Sequence, residues 1–167
     1  MKLTLTALAT LLVLSCTFTN AIGQTKYTDS TAIPKAYWVS AGFGVSALGN
    51  IAVMGNANIE LDNRWLLTGT AQADAPIFGS ITTINTYGLL IGKVYKPHPG
   101  LFGLSAGLAV MQVDDKTTIG IPILLQTNLV LLQVLGIGIN GFANLNTTTP
   151  SAGFDIGIAL GRMRTHK

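Results

Sequence analysis

The chain has 167 residues, enough for one domain and short for two of ordinary size; 10% of them are charged, against roughly 25% in a typical soluble domain, while 49% are hydrophobic and 19 are glycine. That balance excludes a disordered tail, which needs high charge and little apolar content, and leaves too few charges to clothe a water-facing surface. The net charge of +3 comes from ten basic and seven acidic residues scattered singly, so no basic cluster points to nucleic acid.

Residues 1–23 read as a signal peptide. Lys2 supplies a short positive n-region, and Leu3–Ser15 is an apolar run too short to span a bilayer. Small residues follow at cleavage distance, at Thr19-Asn20-Ala21 or at Ala21-Ile22-Gly23; the second places the cut before Gln24. An uncleaved anchor is one alternative, and a lipoprotein signal at Val13-Leu14-Ser15-Cys16 is the other. The apolar run is short for the first, and Leu14 is bulky for the second. The cleaved and lipidated readings both export the chain. Cys16 is the only cysteine, so under either cleavage the mature chain has no disulfide, no cysteine metal ligand and no thiol nucleophile. Residues 24–34 are an irregular polar stretch, expected to lie in the periplasm.

From Tyr37 onward the chain alternates with period two, the period of a strand. Tyr37, Val39, Ala41, Phe43, Val45 and Ala47 oppose Ser40, Gly42, Gly44 and Ser46, with Trp38 the exception on the small face. Ile51, Val53, Ala57, Ile59 and Leu61 oppose Asn56, Asn58 and Glu60. Trp65, Leu67, Ala71 and Ala73 oppose Arg64, Thr68, Thr70, Gln72 and Asp74. The run 82–95 is weaker, with Tyr87, Leu89 and Ile91 against Thr86, Gly88 and Gly92. Phe102–Val110, Ile119–Leu129, Leu135–Asn140 and Phe154–Gly161 repeat the pattern. Eight strands of roughly ten to thirteen residues result, long for a globular sheet and suited to crossing a bilayer at a tilt.

Turn residues separate them: Leu48-Gly49-Asn50, Asp62-Asn63, the stretch 75–81 around Pro76 and Gly79, Lys96–Gly100, Asp114–Thr117, a short link near Gln133-Val134, and Asn146–Ser151. Links this short join antiparallel neighbours in up-and-down order. Residues 119–139 are apolar enough to suggest a transmembrane helix instead. Pro122, Gln126, Asn128, Gln133, Gly136 and Gly138 interrupt that reading.

The face opposite the Ile, Leu, Val and Phe residues carries glycine, alanine, serine, threonine and asparagine but few charges. It makes a poor solvent surface and a fitting interior for a narrow barrel, whose lumen at eight strands is just wide enough for side chains to fill. The large apolar face then meets lipid, and the sheet must close because hydrocarbon cannot satisfy an open edge. The predicted fold is all-β, an eight-stranded antiparallel up-and-down transmembrane β-barrel over residues 35–164, with a tail at 165–167.

Gly120-Ile121-Pro122-Ile123, the stretch from Leu135-Gly136-Ile137-Gly138 to Asn146, and the closing Gly153 to Arg164 resemble small outer-membrane barrel proteins of Bacteroidota-type bacteria. The resemblance is best over about the last fifty residues. It implies a barrel of the OmpX or OmpA transmembrane-domain kind and brings no defined activity. One departure is the end of the chain. Many such barrels finish on an aromatic residue read by the assembly machinery, whereas this one ends Arg162-Met163-Arg164-Thr165-His166-Lys167.

Candidate chemistry is sparse. His98 lies in a proline-flanked turn and His166 in the tail, and no two histidines have metal-ligand spacing. Asp114-Asp115 lacks the further oxygens a calcium site needs. Asn146-Thr147-Thr148 matches a glycosylation sequon but reads equally as a polar loop tip. The glycines of Gly136-Ile137-Gly138 sit inside a strand with no helix after them, so they cradle no phosphate. The inward polar residues are Glu60, Arg64, Asp74 and Asp155 with Asn56, Asn58, Gln72, Gln126, Asn128, Asn140 and Asn144, and charges in so narrow a space must pair or hydrogen-bond. Glu60 and Arg64, flanking the Asp62-Asn63 turn, are the expected lumen pair, with a structural role. No catalytic residue, cofactor or metal ligand is expected. The expected partners are outer-membrane lipid and, during insertion, the barrel-assembly machinery, with the protein a monomer. The expected function is structural or adhesive, without catalysis or an open pore. The alternative is a barrel that binds a lipid or a small apolar ligand.

Overall fold

The computed structural model describes residues 36–76, 83–113, 116–147 and 149–163. The expected signal peptide at 1–23, the segment 24–34 and the tail 165–167 lie outside them, as do Cys16, Asp114, Asp115, Thr148 and His166. Within them, the alternating segments form eight strands: β1 (Ala36–Ser46), β2 (Asn50–Glu60), β3 (Trp65–Pro76), β4 (Ile84–Tyr95), β5 (Gly100–Val113), β6 (Lys116–Leu132), β7 (Leu135–Leu145) and β8 (Ser151–Arg162). Each pairs antiparallel with the next, and β8 pairs back with β1, so the sheet is a closed barrel.

Strand β6 is longer than its alternation marks, running 17 residues with a register shift between Val130 and Leu132. It and β7 occupy the stretch where a helix was the competing reading. Proline and two glycines at alternate positions cost a helix heavily but fit a strand that bends. Among the described residues no helix is long and apolar enough to cross a membrane, which says nothing of a barrel, whose crossing segments are strands.

The register fixes the shape. Traced once around the barrel, partners run from Arg162 through Tyr37, Ile59, Leu67, Ile91, Ala106, Ile123 and Ala143 to Ala152, ten residues from the start on the same strand. That stagger tilts the strands against the barrel axis and sets its width. One end, the near rim, carries the links 61–64, 96–99 and 133–134, together with the start of β1 and the end of β8. The other, the far rim, carries 47–49, 77–83, 114–115 and 146–150.

The two walls differ as the alternation requires. Thirty large apolar side chains are exposed on the outside among the described residues, Phe43 at 72% and Ile119 at 71%, which is far beyond what water tolerates on a monomer. A bilayer is the solvent that fits this wall. The inside holds the large buried side chains together with Asn56, Asn58, Gln72, Asp74, Gln126, Asn128, Asn140, Asn144 and Asp155.

Candidate functional site

The lumen is where charge and polarity concentrate, and it is built in layers. At the near rim Ala36, Trp38, Leu66, Val94, Leu101, Ala159 and Met163 form one apolar cluster. Trp38 comes from β1, Leu66 from β3 and Leu101 from β5, so the barrel's curvature brings them together across the lumen as a stopper. Glu60 and Lys96 accompany it. Lys96 Nζ donates to Glu60 Oε2 as a salt bridge, with the Glu60 side chain 6% exposed and that of Lys96 21%.

Arg64 does not take the place expected for it. The link between β2 and β3 spans four residues, 61–64, closed by Leu61 N–H donating to Trp65 O at 2.8 Å. Asn63 and Arg64 both adopt left-handed conformations, φ 55° and 61°. This rotates Arg64 onto the outer wall, exposed, its guanidinium carbon 5.8 Å from the centre of the Tyr95 ring. The expected Glu60–Arg64 pair is therefore corrected to Glu60–Lys96, because the longer turn reverses the side on which Arg64 emerges.

Above the stopper lies a polar belt. Asn58 Oδ1 accepts from Thr68 Oγ1 at 2.9 Å and from Gln126 Nε2 at 3.0 Å, tying β2, β3 and β6 across the lumen. Asn56 Nδ2 donates to Ser40 Oγ at 3.3 Å. The two buried aspartates are each held by one amide: Gln72 Nε2 donates to Asp74 Oδ1 at 2.7 Å, and Asn140 Nδ2 to Asp155 Oδ1 at 2.8 Å. Asp155, Gly44, Ala52 and Asp74 stand opposite one another on β8, β1, β2 and β3, so two tiny residues separate the carboxylates along the wall. A second apolar cluster of Ala52, Met54, Leu90, Leu124 and Phe142 also fills the lumen.

Glycine makes room for these side chains. A Cβ on Gly42 would collide with Asp155 Oδ1, one on Gly138 with Asn128 Oδ1, and one on Gly120 with Asn144 Oδ1. Each polar side chain lies flat against a neighbouring strand where no Cβ stands. The alternation placed Asn56, Asn58, Gln72, Asp74, Gln126, Asn128, Asn140, Asn144 and Asp155 inside, and all are buried. It did not single out the large inward fillers Met54, Leu66, Leu90, Leu101, Met111, Leu124 and Phe142, although their parity along each strand carries that information. It also missed Lys96.

The other candidates stay apart. His98 is exposed in the 96–99 link. Asn146 serves the β7–β8 link, donating to Thr149 O at 2.9 Å and accepting from Thr149 N–H at 2.6 Å. Among the described residues no group of three or more His, Cys, Asp or Glu side chains could hold a metal ion. The arrangement fills and stiffens a tube.

No protein-family model matches the sequence, and no curated protein matches it. Solved structures do match. The N-terminal β-barrel domain of Pseudomonas aeruginosa OprF superposes with a TM-score of 0.62 at 11% identity, covering 77% of this chain and 98% of that one. Neisserial surface protein A gives 0.57 at 14% identity, covering 75% and 94%. Ail, the attachment invasion locus protein of Yersinia pestis, gives 0.53 at 12% identity, covering 77% and 99%. Ail is an outer-membrane protein also solved in a phospholipid bilayer nanodisc. At these identities the likeness establishes a shared fold, the transmembrane barrel.

Proposed function

We propose that this chain is a small integral outer-membrane protein with a structural or adhesive role, exported by residues 1–23, and that it neither catalyses a reaction nor conducts ions. The observation that carries this reading is the pairing of an apolar outer wall with a lumen filled by the two apolar clusters and the polar belt. Water-filled channels appear in barrels of about sixteen strands, whereas eight leave a space that side chains occupy. The fold shared with Ail, OprF and NspA supports the membrane assignment, as does the resemblance of residues 120–123, 135–146 and 153–164 to barrels of Bacteroidota-type bacteria. In this reading the near rim faces the periplasm, the barrel-assembly machinery inserts the chain as a monomer, and lipid is its standing partner. The links at the far rim, of three, seven, two and five residues, offer little surface to another cell, which favours the structural role over adhesion.

Two measurements test it. The protein should fractionate with the outer membrane and migrate on gels with heat-modifiable mobility. Cysteines placed at Gly49 and Thr147 should react with an impermeant reagent on intact cells, and one at His98 should not. The reverse labelling overturns the orientation. Reproducible single-channel steps from the purified protein in planar bilayers overturn the closed lumen.

The second reading, a barrel that binds a lipid or a small apolar ligand, draws support from one feature. A groove of about 480 Å³ lies on the outer wall at the near rim, beside the lumen.

A further inference from the structure

That groove has a charged end and an apolar end. Its lining includes Arg64 and Lys93, the ring of Tyr95, and Phe102, Leu104 and Leu125. The register explains the grouping. Trp65, Lys93, Leu104 and Leu125 are successive partners on β3, β4, β5 and β6, and Tyr95 pairs with Phe102 one step nearer the rim.

The two cations are fixed in place. Lys93 Nζ sits 3.8 Å from the centre of the Trp65 ring and donates to Asn63 O at 3.0 Å. Arg64 is set over Tyr95 by a left-handed backbone, φ 61°, in a position where glycine or asparagine would be the less strained choice. A long basic side chain that merely reached for the bilayer surface would need neither the ring contact nor the turn. The backbone carbonyl uses one of the three ammonium N–H groups, and a guanidinium offers five. Asp62 is the only carboxylate in the 61–65 turn, so this corner keeps a positive surplus. Among the described residues four of the five basic side chains, Arg64, Lys93, Lys96 and Arg162, stand at the near rim, and Lys116 stands alone at the far one.

We propose that this groove seats one anionic phospholipid of the leaflet at the near rim, its phosphate between Arg64 and Lys93 and an acyl chain along Phe102, Leu104 and Leu125. An anionic rather than a zwitterionic head group fits, because choline or ethanolamine would bring a third cation to a corner already in positive surplus. A soluble phosphate would leave the apolar end of the groove in contact with nothing of its own kind. The inference rests on the membrane-barrel reading.

Trp65 supplies the probe, since it is the tryptophan on the outer wall and Trp38 is enclosed in the lumen. Refolded full-length protein, checked by heat-modifiable mobility, is placed in phosphatidylcholine vesicles holding about one-tenth phosphatidylglycerol. Bromine is carried on the acyl chains of one lipid or of the other. Brominated phosphatidylglycerol should quench Trp65 as though its local fraction were about threefold the bulk value. Arg64→Gln with Lys93→Gln should return quenching to the bulk fraction, and Lys116→Gln should leave the enrichment intact. Comparing two lipids within each variant cancels the change that Lys93→Gln itself makes to Trp65. Bulk-level quenching in the parent, or enrichment that survives the double substitution, overturns the proposal while leaving the barrel in the membrane. Absence of quenching by either brominated lipid overturns the membrane-barrel reading, and the proposal with it.

Discussion

The chain has two tryptophans, and they stand on opposite walls: Trp38 is 1% exposed inside the lumen and Trp65 is 42% exposed outside. The outer one carries a lysine ammonium over its ring, while the inner one packs in a cluster with residues from several strands. The walls obey different rules. Outside, any side chain apolar enough for hydrocarbon will serve, and shape matters little. Inside, volume is fixed by eight strands and their stagger, so each side chain is matched to its neighbours, and Asn58, Asp74 and Asp155 are each held by an amide or hydroxyl of another lumen residue.

Neighbouring positions on β8 break that comparison most sharply. Gly157→Arg should prevent closure altogether, because even a Cβ there would strike the Ala41 carbonyl and Gly42 across the seam; no heat-modifiable form should be recovered after refolding. Trp38→Ala empties the stopper and should lower stability by about 3–5 kcal/mol in urea titrations of the lipid-inserted protein. One residue from Gly157, Ile158→Arg places a charge on the lipid wall and should cost about 2–4 kcal/mol if its depth is near the midplane, with the barrel still able to close. Closure by Gly157→Arg, or loss of closure by Ile158→Arg, would show that the walls are assigned the wrong way round.

The two cations sharpen the contrast at smaller scale. Lys96→Met strands Glu60 in the lumen and should cost about 2–3 kcal/mol, below the figure for a fully enclosed pair because Lys96 keeps some solvent. Arg64→Gln removes a charge from the outer wall and should leave the urea midpoint where it was. Equal losses from the two would restore Arg64 as the partner of Glu60.

These assignments were unequally legible in the sequence. The outer wall could be read almost residue by residue, because lipid asks only for apolarity at every second position. Strand number and order followed from that and from the turn residues. The interior was legible as to polarity and not as to packing. Leu66, Leu90, Leu101 and Leu124 sit among small residues on the inward face, where alternation weights them as irregularities, although they are the filling. Lys96 escaped because it follows the last residue of β4, where period two no longer assigns a face, and reaches Glu60 from two strands away. Arg64 misled for the complementary reason. It was counted as part of the strand, whereas it and Asn63 are left-handed turn residues that precede Trp65.

The seam between β1 and β8 joins the first and last strands of the barrel, more than a hundred residues apart in the chain. Glycines face each other on it at Gly42 and Gly157, with Gly44, Gly153 and Gly161 alongside, and a Cβ on any of the last three would strike backbone of the neighbouring strand. Contacts of such separation form late, since the loop entropy of the whole intervening chain must be spent before they return anything. Until Ser151–Arg162 has been made and delivered to Ala36–Ser46, two unpaired edges exist that hydrocarbon cannot tolerate. An open sheet left bare in hydrocarbon is therefore disfavoured by the topology itself, which couples completion of the ring to the arrival of the last strand.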